Sequence, residues 1–209
     1  MDPDEAKKIF HKLFDSVNGR ALSLEGREKS QFSSKSFVYG EVVPDSFYNL
    51  LKEGNPYPGQ VFYDLGSGTG KAVILSHLLF PFKACKGIEY LDTLYNASAD
   101  MLKQYKEEIL PHQSEEIKKK EIQLIHGSFL DLDFTDADFI FMNSTCFQDD
   151  LMEALEEKLE RLQPHTTVIS LSKSLKSPAF HQLKHKMFEF SWGQATAFYH
   201  RKRLWKVYM

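Results

Sequence analysis

Apolar residues recur at helical spacing twice before position 54, and then the rhythm changes. Ile9, Phe10, Leu13, Phe14 and Val17 share one helical face behind Asp2, a cap, and Pro3, a first-turn proline, until Asn18-Gly19 ends the run. This predicts an amphipathic N-terminal helix. Residues 19–35 are polar and poorly periodic and read as a loop wrapping the domain, and a second short helix follows Pro44 with Phe47, Leu50 and Leu51 on one side.

From Gln60 onward short apolar runs alternate with longer helical ones. Strands are expected at 61–65, 85–89, 122–126, 139–142 and 167–171. Helices are expected at 71–79 and 91–110, with another carrying Leu151, Leu155, Leu159 and Leu162. Strand, helix, strand in succession predicts an α/β fold, a mostly parallel sheet with helices on both faces. After Pro178 two strands near 187–191 and 195–207 follow with little between them, an antiparallel C-terminal hairpin that completes seven strands. The organisation expected is an N-terminal helix and wrapping loop over 1–36 and a main domain over 37–209.

With 209 residues, 42% hydrophobic and 26% charged, the chain suits a single folded core. No run approaches the roughly 18 apolar residues of a membrane span, and the N-terminus is acidic rather than basic-then-apolar. Cys85 and Cys146 sit in apolar runs with no partner at metal-ligand spacing, so no metal site is expected, and buried reduced thiols fit a soluble, intracellular protein of the nucleus or cytoplasm. From His165 onward eight Lys/Arg face the single acid Glu189. That basic segment either meets an acidic partner or nucleic acid, or pairs internally with the acidic run 149–160.

The sharpest feature is Asp64-Leu65-Gly66-Ser67-Gly68-Thr69-Gly70-Lys71, where a predicted strand runs through a glycine-rich turn into a helix. Glycines there let backbone amides approach a bound nucleoside. Leu65 occupies the first glycine position of a Walker loop and Ala72 follows Lys71, which disfavours ATP hydrolysis. The third glycine comes one residue early for a dinucleotide fingerprint, and Asp64 would repel a pyrophosphate. An acid there attracts an ammonium, so the loop favours S-adenosylmethionine, with Glu89 ending the next strand as the acid for the ribose hydroxyls.

Further segments fall at expected strand ends: Gly127-Ser128-Phe129-Leu130-Asp131, Asn143-Ser144-Thr145-Cys146-Phe147 and Ser172-Lys173. Val38-Tyr39-Gly40-Glu41 precedes the sheet, and Ser191-Trp192 and Phe198-Tyr199 come late. In this order, from about Phe37 to Tyr199, the chain resembles the disruptor-of-telomeric-silencing family, the histone lysine methyltransferases that lack a SET domain. The resemblance implies a Rossmann-like class I methyltransferase fold and S-adenosyl-L-methionine as cofactor. It implies cofactor contacts from Tyr39, Glu41, Asp64, Gly66, Gly68, Glu89, Ser128, Phe129 and Asn143. Ser128 stands where the family has an aspartate, Ser144 replaces a second asparagine, and the family's long basic extension is missing.

Methyl transfer to an amine needs an aligned neutral nucleophile and exclusion of water more than acid–base groups. An apolar aromatic channel lowers the amine pKa by desolvation. Phe147, Tyr199 and Trp192 are candidates for that channel, and Asn143 for orienting the acceptor or the donor; Asn143, Tyr199 and Phe147 are the expected catalytic residues. The expected function is lysine N-methylation of a protein, with a histone or nucleosome as candidate substrate. The alternative is a class I methyltransferase acting on a non-histone protein, RNA or a small molecule, with the basic segment as a nucleic-acid contact.

Overall fold

The computed structural model describes residues 1–29 and 40–204. Helix α1 (Pro3–Phe14) starts where Asp2 accepts the Asp4 N–H at 2.9 Å, and it buries Ala6, Phe10, Leu13 and Phe14. Helix α3 (Pro44–Glu53) begins with its proline and buries Phe47, Leu50 and Leu51. Strands β1 (Val61–Leu65), β2 (Ala84–Glu89), β3 (Glu121–His126), β4 (Phe139–Met142) and β5 (Thr167–Leu171) fall where the apolar runs predict them. Helices α4 (Lys71–Leu79), α5 (Asp92–Gln104) and α7 (Asp149–Leu159) connect them, with the single-turn α6 (Glu115–Lys118) before β3.

The seven-stranded sheet runs β3-β2-β1-β4-β5-β7-β6, with β6 (Phe180–Phe190) and β7 (Gly193–Lys202) forming the terminal hairpin. The first five strands pair in parallel, and β7 runs antiparallel to both β5 and β6. The chain reverses direction in sheet order between β1 and β4, so the carboxyl ends of those strands open a crevice. Each face of the sheet carries its own apolar cluster. Phe10, Phe14, Phe47, Val73 and Phe62 belong to one, and Leu155, Leu159, Ile140 and Val168 to the other.

Two expectations change. Residues 19–29 form helix α2 (Gly19–Lys29) rather than loop. Asn18, which reads as a stop, also starts this helix, since its Oδ1 accepts the Ala21 N–H at 3.0 Å. The buried face of α2 is Gly19, Ser23 and Gly26, so close approach of backbones replaces apolar periodicity. A Cβ at Gly26 would lie 2.4 Å from Thr93 Oγ1 on α5. Second, β6 is far longer than 187–191, because most of the added residues are exposed edge positions that leave no apolar signal. Helix α1 packs into the main core through Phe10, Leu13 and Phe14, and the expected boundary at 36 lies outside the described residues.

Three lysines of the basic segment form ion pairs within the described residues. Lys173 meets Asp149 at 2.6 Å, but Lys184 and Lys186 both reach Glu53 of α3, at 2.5 and 2.8 Å, instead of the acidic run. Those two ammonium groups hold the Glu53 carboxyl down to about 2. Among the described residues no helix is long and apolar enough to cross a membrane.

A charged cavity at the carboxyl edge of the sheet

The loop between β1 and α4 turns through three glycines at positive φ: Gly66 at 84°, Gly68 at 56° and Gly70 at 82°. Residues with a Cβ are strained there. The amides of Gly66 and Ser67 both donate to Ile88 O, at 2.9 and 3.0 Å, which ties the loop to β2. Gly87 makes room for this, since a Cβ on it would meet Ser67 Cβ and Val73 Cγ2 at 2.7 Å. Glu89 completes the brace: its Oε2 accepts the Gly68 N–H and its Oε1 the Leu91 N–H, each at 2.8 Å.

A cavity of about 360 Å³ opens above this loop. Asp64 and Glu89 are buried in its floor, while Leu94, Phe129, Phe147 and Leu151 supply apolar walls. Burial pushes the Asp64 carboxyl well up from the usual range, and the nearby Glu89 adds to the rise; burial likewise raises Glu89 against the backbone N–H groups that it accepts. Both acids therefore gain from a ligand that brings donors or positive charge.

Toward α1 the wall carries an ion pair, with Lys71 Nζ 2.6 Å from Glu41 Oε1 and little of the lysine exposed. The same ammonium lies 5.7 Å from the ring centre of Phe10 and 5.5 Å from that of Phe14. Glu41, Asp64 and Lys71 all line the cavity, a set matched to the amine and carboxylate of an amino acid.

The structure brings Glu41, Asp64, Gly66, Glu89, Ser128, Phe129, Asn143 and Phe147 to this cavity, with Gly68 in the loop beneath it. Ser128 Oγ accepts the Leu130 N–H at 3.1 Å, and Asp131 lines the cavity beside it. Phe129 and Phe147 lie with ring centres 5.7 Å apart. Asn143 directly follows β4, and its Nδ2 donates to Gly40 O at 3.3 Å.

Tyr199 is not brought to the cavity. It is buried in β7 beneath α3, where its hydroxyl donates to Leu50 O at 3.0 Å. The alternation of a strand sends adjacent residues to opposite faces, and Tyr199 takes the face packed against α3. Trp192 does not line the cavity either; it packs behind Gly40. Tyr39 lies outside the described residues.

Sequence reasoning missed Lys71 and Ser67. The signal for Lys71 is a lone cation opening an otherwise apolar helix directly after the glycine loop. Ser67 lines the cavity with an Oγ that has no hydrogen-bond partner.

A parallel sheet extended by an antiparallel hairpin strand inserted beside β5, with a glycine loop after β1 and an acid ending β2, defines a Rossmann-like class I methyltransferase fold. Solved structures share it. The chain superimposes on TrmN from Thermus thermophilus with a TM-score of 0.61 at 17% identity, covering 80% of this chain and 51% of that one. An RNA methyltransferase from Salinibacter ruber in complex with S-adenosyl-L-homocysteine gives 0.56 at 17% identity, over 78% and 94%.

The family described as Histone methylation protein DOT1 matches residues 16–193, and the chain belongs to it. Its relatives include proteins named "Histone-lysine N-methyltransferase, H3 lysine-79 specific". The one from Kluyveromyces lactis is 28% identical over 86% of this chain and 32% of its own length. The one from Caenorhabditis elegans is 30% identical over 81% of this chain and 18% of its own length. The chain thus spans a third or less of these curated relatives.

Proposed function

We propose that the protein is an S-adenosyl-L-methionine-dependent protein lysine N-methyltransferase whose acceptor is histone H3, which would place its work in the nucleus. The observation that carries the cofactor assignment is the charge pattern of the cavity: Glu41 paired with Lys71, and Asp64 near Glu89 at the end of β2. The relatives' names support the acceptor.

The residues fit this cofactor. Asp64 and Glu41 would take its ammonium, Lys71 its carboxylate, and Glu89 the ribose hydroxyls. Ser67 offers an unpartnered hydroxyl to the same ligand. Ser128 Oγ accepts the Leu130 amide, and Asp131 beside it offers a carboxylate as acceptor for the adenine amino group. When bound, the cofactor supplies a methyl carbon on a positively charged sulfur.

Phe147 and Phe129 keep water from the reacting end and lower the pKa of an entering lysine amine by desolvation, leaving its lone pair free. Asn143 Oδ1 is enclosed and has no partner among the described residues, so it can accept an N–H of that amine and fix its direction. Asn143 would orient the amine toward the methyl carbon of the cofactor held by Asp64, Glu41, Lys71 and Glu89, and the proton displaced from that amine would leave to solvent. A strong base is unnecessary once the amine is neutral.

The test is incubation with methyl-labelled S-adenosylmethionine and nucleosomes, free histones, or lysate with and without RNase, with Asn143→Ala as control. Label on an H3 lysine that Asn143→Ala abolishes supports the assignment. Label confined to RNA or another protein retains the cofactor site and discards the histone.

A further inference from the structure

The tip of the β6–β7 hairpin, Ser191-Trp192, holds the backbone of Gly40-Glu41 through three contacts. Glu41 N–H donates to Ser191 Oγ at 3.1 Å, and Ser191 N–H donates to Glu41 O at 3.3 Å. The Trp192 ring covers the α-carbon of Gly40 so closely that a Cβ there would lie 2.5 Å from Cε3 and 2.7 Å from Cζ3. The ring itself is fixed by stacking on Phe190, with centres 4.7 Å apart and planes at 13°. On its other side, Gly40 presents its carbonyl to Asn143 Nδ2.

A carbonyl oxygen cannot pair with another carbonyl oxygen, so this contact decides which way the Asn143 amide is turned. Its nitrogen must face Gly40, and its oxygen is the atom left without a partner among the described residues. The hairpin tip therefore reaches the reacting end indirectly. We propose that Trp192 is a positioning residue: it clamps Gly40 so that the Gly40 carbonyl orients the Asn143 amide and leaves Oδ1 free for the acceptor amine. This rests on the methyltransferase reading for its consequence but not for its geometry.

The test has an arm that needs no substrate. In ¹⁵N-labelled protein the Asn143 side-chain NH₂ resonance is identified by its absence in Asn143→Asp. In Trp192→Ala that resonance moves toward the position of a free amide and its hydrogen exchange accelerates about tenfold or more, while Trp192→Phe keeps it near the wild-type value. Ser191→Ala, which removes one bond and leaves the ring, gives a smaller shift and guards against misfolding of Trp192→Ala. Trp192→Phe, which keeps an aromatic ring over Gly40, binds S-adenosylhomocysteine within about twofold of wild type.

In the activity arm Trp192→Ala lowers kcat roughly 10- to 100-fold with little change in acceptor KM, and adding it to Asn143→Ala costs nothing further. An unchanged amide resonance in both Trp192→Ala and Ser191→Ala overturns the clamp. So do losses that multiply with those of Asn143→Ala, which would mean that Trp192 meets the acceptor directly. If wild-type protein methylates no acceptor, the functional reading fails while the resonance still decides the clamp.

Discussion

The carboxylate of Glu89 accepts the amide of Gly68 at 2.8 Å, which ties the end of β2 to the middle of the glycine loop. Its other oxygen accepts the Leu91 amide, so one buried side chain fixes two turns around the cavity. Glu89→Gln keeps the shape but points an NH₂ group at one of two N–H donors. A hydrogen bond to a charged group is worth about 1.5–3 kcal/mol, so S-adenosylhomocysteine affinity should fall roughly 10- to 100-fold. Titration calorimetry measures this, and thermal unfolding should show a lower Tm. Binding within twofold of wild type would mean that the brace is dispensable.

On the proposed reading, Lys71 meets the amino-acid end of the cofactor and not its nucleoside end. In Lys71→Met the carboxylate loses its cation, and Glu41 loses the ammonium that lies 2.6 Å away. S-adenosylhomocysteine should bind about tenfold more weakly or worse. Methylthioadenosine, which has no amino-acid end, should bind as it does to wild type. Equal losses for both ligands would indicate a collapsed loop rather than a missing charge.

His77 and His200 are buried, and burial lowers each pKa to about 4. His77 Nδ1 lies 2.8 Å from the Tyr105 hydroxyl, and His200 Nε2 accepts the Leu175 N–H at 3.2 Å. Both are neutral in the folded state near pH 7. As pH falls through about 6.5 the unfolded chain takes up protons before the folded one does. The stabilisation that these neutral rings contribute is complete above the unfolded pKa and is lost between about 6.5 and 4. The slope is on the order of 1 kcal/mol per pH unit for each histidine. Asp64, with its raised pKa, acts with the opposite sign in acid, so the histidine part is isolated by comparison. Urea unfolding across this range should show a shallower pH dependence in His77→Gln than in wild type; equal slopes would refute the assignment.

What the sequence discloses follows from which residues carry the packing. β1, β4 and β5 are buried on both faces and read as predominantly apolar runs. Asp64 and Glu89 were legible because strand ends and glycine turns fix where their side chains go. Helix α2 was not, because Gly19, Ser23 and Gly26 pack by being small. Lys71 was hidden because its role depends on Glu41, thirty positions earlier in the chain, and on Phe10 and Phe14. Tyr199 and Trp192 were misplaced for a related reason. Both belong to a hairpin whose pairing with β5 sets which face each residue takes, and local sequence does not state that pairing.

Tyr199 offers the sharpest distinction between a structural and a catalytic residue. Its ring is 1% exposed, burial raises its phenol pKa, and its hydroxyl is spent on Leu50 O at 3.0 Å. Lys184 Nζ lies 5.0 Å from the ring centre on its way to Glu53, so the ring also serves the pairing of β6 with α3. Tyr199→Phe removes one buried donor and leaves the Leu50 carbonyl without it, which should cost about 1 kcal/mol in urea unfolding. Cofactor affinity and kcat should stay within twofold of wild type. A tyrosine in the acceptor channel would behave in the opposite way, with kcat falling while stability held. Measuring both quantities on one preparation decides between the two roles.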